Sequence, residues 1–149
     1  MRLFVCGVDA AGRSCVLSKN EIAFGPVPGL PHSGMAKLFG TDQSPPPSSP
    51  PGLGAFAGDS LKPGHVSWYI MDHKPQASAE EHAGNKMHYR NAIDMVFVLE
   101  GTGTMLLGDG EHPLEAGDCL VMPGSDHGLK AGPNGCRLMA FAIGTPPAT

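Results

Sequence analysis

The chain has 149 residues, enough for a sizeable core, and only 16% of them are charged, whereas glycine (21) and proline (15) are abundant. That balance suits short strands joined by tight turns and argues against a helical bundle. A net charge of −4 leaves no basic footprint for nucleic acid, and no apolar run forms a signal-peptide core or reaches the length of a membrane span.

Leu3–Val8 and Ser14–Leu17 are apolar, β-branched runs on either side of Asp9–Gly12, the pattern of a hairpin. Phe24–Gly34 is broken by Pro26, Pro28, Gly29 and Pro31, which predicts an extended, irregular segment, and Met35–Phe39 predicts a further strand. Residues 1–42 therefore form an N-terminal strand extension. The segment at 43–54, with Ser44–Gly54 rich in proline and serine, can be neither helix nor central strand. It suits a polyproline-like arm, a flap over a pocket or, most simply, a disordered loop.

The expected barrel core spans about 63–144. His65–Asp72 is a strong strand that holds the single Trp and stops at His73-Lys74-Pro75. Gln76–Met87 is polar, with at most one helical turn around Ala79, Glu80, Glu81 and His82. Met95–Leu99, Met105–Leu107, Glu111–Leu114, Cys119–Met122, His127–Lys130 and Cys136–Ile143 then follow as short strands. Gly101-Thr102-Gly103, Gly108-Asp109-Gly110 and Pro133-Asn134-Gly135 separate them as turns, and Thr145–Thr149 is a frayed tail. Even spacing with no helical period points to an antiparallel barrel or sandwich. Cys6, Cys15, Cys119 and Cys136 lack CxxC spacing, so they suit reduced, mostly buried strand thiols in a cytosolic protein.

Between Met87 and Leu129 two histidines bracket the regular strands. Counting back six residues from Gly101 places Asp94 where one barrel motif has glutamate, with His88 and Arg90 in its two histidine places. Gly117-Asp118 and Gly124-Ser125-Asp126-His127 match a second motif, which begins Gly-Asp and ends Gly-x-x-His. In these residues the chain resembles the cupins, and Asp9–Ser14 is similar to the hairpin that opens a subset of small single-domain cupins. The resemblance implies an all-β antiparallel jelly-roll barrel forming one domain over 1–149, a site in the barrel interior, and pairing as a homodimer.

Fold leaves the chemistry open, because cupins include dioxygenases, isomerases, decarboxylases, lyases, cyclases and plain binding proteins. His88, Asp94 and His127 supply two imidazoles and a carboxylate, the ligand chemistry of a facial triad that suits Fe(II) and is open to Mn, Ni, Co or Zn. Arg90 in a ligand place would repel a divalent ion, and Asp94 is one methylene shorter than glutamate, so a metal site would need Arg90 turned to an anionic substrate and His82 or His73 as a further ligand. Without metal, the same histidines would act as general acid and base, Asp94 would orient an imidazole, and Arg90 would hold a carboxylate, phenolate or enolate. Trp68, Met71 and Phe97 are the expected apolar substrate contacts beside Arg90. Tyr69, Met95, Met122 and Met139 suit barrel packing. His65, His73 and His82 are ambiguous, and His32 and an exposed His112 carry no expected role.

The expected function is an enzyme acting on a small organic molecule, such as a tailoring step on an aromatic or polyketide-like compound. With a metal it would be an oxygenase, decarboxylase or lyase; without one, a cyclase, dehydratase or isomerase. A non-catalytic binding or sensor barrel is the alternative from a different class.

Overall fold

The computed structural model describes residues 1–58, 61–75 and 86–148. Every regular element among them is a strand. The strands are β1 (Arg2–Val8), β2 (Ser14–Glu21), β3 (Gly25–Val27), β4 (Leu30–Met35), β5 (Ala55–Phe56), β6 (Val66–His73), β7 (His88–Tyr89), β8 (Ala92–Leu107), β9 (Gly110–Glu115), β10 (Cys119–Pro123) and β11 (Gly128–Gly144). No helix among the described residues is long and apolar enough to cross a membrane.

One sheet carries the fold, in the order β2-β1-β10-β8-β11-β6, with β9 also paired to β8. The pairs are antiparallel except β1–β10, where Leu3, Phe4 and Val5 run parallel to Cys119, Leu120 and Val121. β8 pairs with β10 through its first half and with β9 through its second, while β11 follows it along both. The inner faces of β6, β8, β9, β10 and β11 thereby surround one interior, a jelly-roll-type barrel. Its core packs Phe4, Cys6, Val98, Met105, Leu114 and Leu138 among others.

Strand alternation decides what reaches that interior. Along β6, Tyr69, Met71 and His73 are half-buried, whereas Val66, Trp68, Ile70 and Asp72 are exposed. Along β8, Asp94, Val96 and Val98 are buried and point inward, and Met95 and Phe97 lie on the other face.

Several sequence expectations are corrected. Gly101-Thr102-Gly103 is not a turn. It lies inside the sixteen-residue β8, where Gly101 (φ +77°) kinks the strand. A Cβ there would come within 2.1 Å of the Gly135 carbonyl oxygen, so glycine is required by both conformation and space. Pro133-Asn134-Gly135 is likewise internal to β11, as an irregularity where its register with β8 breaks between Ala131 and Cys136. Neither segment reverses the chain, because each continues beside the same long partner.

Phe24–Gly34 is not irregular: β3 and β4 form a hairpin turning at Pro28-Gly29. A two-stranded ribbon has an open edge on both sides, so its prolines cost few ladder bonds. Beyond Met35, the expected strand at Ala36–Phe39 is absent. The proline-rich segment is docked rather than loose. Ser49 N–H donates to the Pro123 carbonyl (2.6 Å), Asp126 N–H donates to the Pro51 carbonyl (2.5 Å), and β5 then pairs with β7. Close approach is possible because Gly52 and Gly54 have no Cβ, which would otherwise collide with the Asp126 side chain at 2.0 and 2.6 Å.

All four cysteines are free, and Cys6, Cys119 and Cys136 are buried. Desolvation pushes the Cys6 thiol up to about 12, which makes it inert at neutral pH.

Candidate functional site

A cavity of about 290 Å³ opens inside the barrel. Most of its wall is apolar, including Met71, Met105, Leu114, Leu129 and Leu138, and its polar groups are His88, Arg90, Asp94, His127, Tyr69 and His73. The structure thus brings together all four residues expected to form the centre.

Two chain segments meet at the polar end. His88 and His127 are joined by a β-bridge, with His88 N–H donating to the His127 carbonyl (3.0 Å) and His127 N–H to the His88 carbonyl (2.9 Å). Their rings lie 5.0 Å apart, tilted by 50°. Each ring is held in the same way: His88 Nδ1 sits 3.0 Å from the Lys86 carbonyl oxygen and His127 Nδ1 sits 3.0 Å from that of Ser125. A carbonyl oxygen can only accept, so both Nδ1 atoms carry the proton and both Nε2 atoms are the basic nitrogens of the neutral rings. Packing out of water lowers the His127 pKa below 6.5. The Ser125 carbonyl and the Asp94 charge oppose that shift, while His88 and Arg90 add to it. His127 is therefore neutral at pH 7.

Arg90 follows β7 and Asp94 lies in β8, with the Asn91 bend between them. That corner lets two residues four apart in sequence form an ion pair through Arg90 Nη2 and Asp94 Oδ1, with Nε 3.3 Å from Oδ2. Arg90 Nη2 also donates to the Tyr69 hydroxyl at 2.6 Å. Burial alone would lower the Arg90 pKa, but Asp94 and Tyr69 outweigh it and raise the value. The result is a permanently charged guanidinium with a phenol beside it, facing an otherwise apolar chamber.

Among the described residues this donor set fits a divalent metal poorly. Asp94 is committed to Arg90 on both oxygens, which leaves only the imidazoles of His88, His127 and His73 in a cavity that holds a fixed positive charge. No group of three His, Cys, Asp or Glu among the described residues could hold a metal ion.

Of the expected substrate contacts, Met71 lines the cavity, but Trp68 and Phe97 do not. Both are on the outer face, where Trp68 is 72% exposed. The reason is the two-residue period: Trp68 is three positions from Met71, and Phe97 three from Asp94, so neither pair can share a face. Tyr69 is a polar member of the site rather than barrel packing. Its even separation from Met71 was the signal that could have found it.

His73 also reaches the cavity. Its Nε2 is buried without a hydrogen-bond partner among the described residues, and burial lowers its pKa against a smaller opposing effect of Asp72. His65 and His32 are exposed on the surface. His112 is half-buried rather than exposed, because its Nε2 pairs with Asp109 Oδ1 at 2.7 Å. His82 and the expected helical turn at 79–82 lie outside the described residues.

No family model matches the chain, and no curated protein matches it. Among solved structures, it is similar to a putative ethanolamine utilization protein Q from Salmonella typhimurium LT2, at 16% identity over 98% of each chain with a TM-score of 0.43.

Proposed function

We propose that this chain is a small single-domain cupin that catalyses proton transfer on a small, largely apolar organic molecule, without a metal. The observation that supports this most is the pairing of two imidazoles, each with its basic Nε2 fixed by a carbonyl behind Nδ1, with the Arg90–Tyr69 pole in the same cavity. A substrate carbonyl, phenol or carboxylate oxygen would be held by the Arg90 guanidinium and the Tyr69 hydroxyl. Neutral His127 would take a proton from the adjacent carbon, and the electron pair would move to the held oxygen as an enolate. His127 would pass that proton to the basic Nε2 of His88, which would deliver it at another carbon of the enolate and leave both rings as they began, so the reaction is a net isomerisation. Delivery of that same proton to a departing β-hydroxyl, as the enolate collapses to an alkene, would release water and make it a dehydration. A wall of methionine and leucine suits an aromatic or alkyl body over a sugar or nucleotide.

The test is solvent deuterium uptake, followed by NMR, into a panel of aromatic and alkyl ketones and keto acids. The expected outcome is exchange at the carbon next to the carbonyl with wild-type protein, lost in His127→Gln while ligand binding persists. Binding with no exchange or turnover of any compound would instead favour a sensor barrel. Activity that appears only with added Fe, Mn, Ni, Co or Zn and vanishes with a chelator would overturn the metal-free reading.

A further inference from the structure

The polar groups of the barrel cavity do not all sit at one end. Tyr69, Met71 and His73 alternate inward along β6, and all three line the chamber. Tyr69 belongs to the Arg90 pole, whereas His73 lies four residues farther on, about 13 Å along the strand. Met71 stands between them, with Leu138 opposite it in register on β11, and both are apolar parts of the wall. The chamber thus has a charged pole, an apolar waist and a second polar group beyond it.

His73 is fixed in that position and has nothing to bind. Its backbone packs against the irregularity of β11, where a Cβ at Gly135 would lie 2.8 Å from the His73 carbonyl oxygen. Its Nε2 is shut off from water without a hydrogen-bond partner among the described residues. Ser125 Oγ, Asp126 Oδ1 and Thr145 Oγ1 share that condition, but none of those three residues lines the cavity. A buried polar atom left unpaired is destabilising, and in a cavity wall a ligand can supply the missing partner. Burial lowers the His73 pKa, so at pH 7 the ring is neutral and offers one donor and one acceptor. A carboxylate gains little from a neutral ring. A hydroxyl both donates and accepts, so it suits Nε2 in either tautomer, and the soft Cβ–Cγ torsion of histidine lets that nitrogen swing to meet it.

We infer that His73 is a specificity-determining residue, which hydrogen-bonds a hydroxyl at the far end of a ligand whose carboxylate or carbonyl oxygen is held by Arg90 and Tyr69. The inference rests on the Arg90 pole proposed above and adds the substrate class, a hydroxylated aromatic or alkyl acid or ketone rather than one with a plain hydrocarbon end. An analogue without that hydroxyl leaves Nε2 as unpaired in the complex as it is in the free protein, so it gains nothing there.

Isothermal titration calorimetry on the full chain would compare aryl alkanoates in matched pairs, phenyl against para-hydroxyphenyl, over a range of chain lengths. The expected result is about tenfold tighter binding of the hydroxylated member at the chain length that spans the cavity. His73→Phe should equalise that pair while leaving the affinity of the phenyl member intact. His73→Leu should do the same, which guards against a phenylalanine that fails to pack. Equal affinities within every pair, or a preference that survives both substitutions, overturns the inference. The earlier reading fails separately. Equal pairs whose binding is lost in Arg90→Gln sink only the role of His73, whereas a hydroxyl preference without solvent deuterium exchange upholds His73 and sinks the catalysis. No binding of either member to wild type overturns both.

Discussion

Two arginine–aspartate pairs in this protein look alike in isolation. In each the arginine side chain is 22% exposed, and the aspartates are nearly sealed, at 0% for Asp118 and 4% for Asp94. Their surroundings separate them. Asp118 accepts from Arg2 Nε (2.9 Å), from the Arg2 amide (3.2 Å) and from the Glu115 amide (2.9 Å), so backbone holds it on two sides. Burial would raise its pKa, but the Arg2 hydrogen bonds and the Glu115 amide outweigh that and hold it below the ordinary carboxylate value. Asp94 faces Arg90, and the third partner is a tyrosine hydroxyl on the cavity wall. The first pair ties the N-terminus to the β9–β10 turn. The second presents a charge to a chamber where a ligand oxygen can compete for it.

The comparison is broken or upheld most sharply by removing charge from each pair while keeping its shape. Arg90→Gln with Asp94→Asn is expected to cut turnover by roughly 10²–10³-fold, the effect of losing one oxyanion donor, while the urea midpoint changes little. Arg2→Gln with Asp118→Asn should do the reverse, lowering stability by about 2–3 kcal/mol through lost charge-assisted hydrogen bonds and leaving turnover intact. Equal effects of the two double variants on stability, or equal effects on turnover, would erase the distinction.

That contrast was only partly legible in the sequence. The motif register placed His88, Arg90, Asp94 and His127 together because strand spacing and glycine positions are local properties. The Arg90–Asp94 pair was not legible, since residues four apart on a strand do not meet and only the Asn91 bend brings them together. Residue type alone points Trp68 and Phe97 towards a ligand, but strand alternation puts both on the outer face. Gly101-Thr102-Gly103 has the composition of a reversal, and whether such a segment turns or kinks depends on β11, a partner about thirty residues away. The docking of Ser44–Gly54 also escaped local reading, because it rests on two backbone hydrogen bonds to residues beyond position 120.

A second test sharpens the comparison through pH. His127 beside the Arg90 pair has its pKa lowered below 6.5 by desolvation, and so has His73 in the same cavity. General-base catalysis needs neutral His127, so kcat/KM should be flat near pH 7 and fall on the acid side, with its midpoint below 6.5. Stability moves in the same direction. Below 6.5 the unfolded chain takes up protons that the folded rings resist, so stability falls as pH drops from 6.5 towards the folded-state values. NMR titration of the imidazoles checks the sign, and a His127 that titrates above 6.5 would remove it as the base.

The smallest expected effect is the most selective. Tyr69→Phe removes one hydroxyl from the Arg90 pole and leaves the ring, the Arg90–Asp94 pair and both histidines in place. If Tyr69 only supports Arg90, the loss is one hydrogen bond to a charged group, which lowers stability and leaves the pH profile and the ratio of kcat to KM unchanged. If it helps to bind a substrate oxygen, affinity for an anionic or enolisable ligand should fall about tenfold, and compounds lacking that oxygen should bind as before. The two roles therefore separate by ligand series within a single variant. Asp118 allows no comparable variant, because its further partners are amides that substitution cannot remove, and on the Arg2 side Glu115→Gln would remove only a 3.5 Å ion pair to an exposed carboxylate.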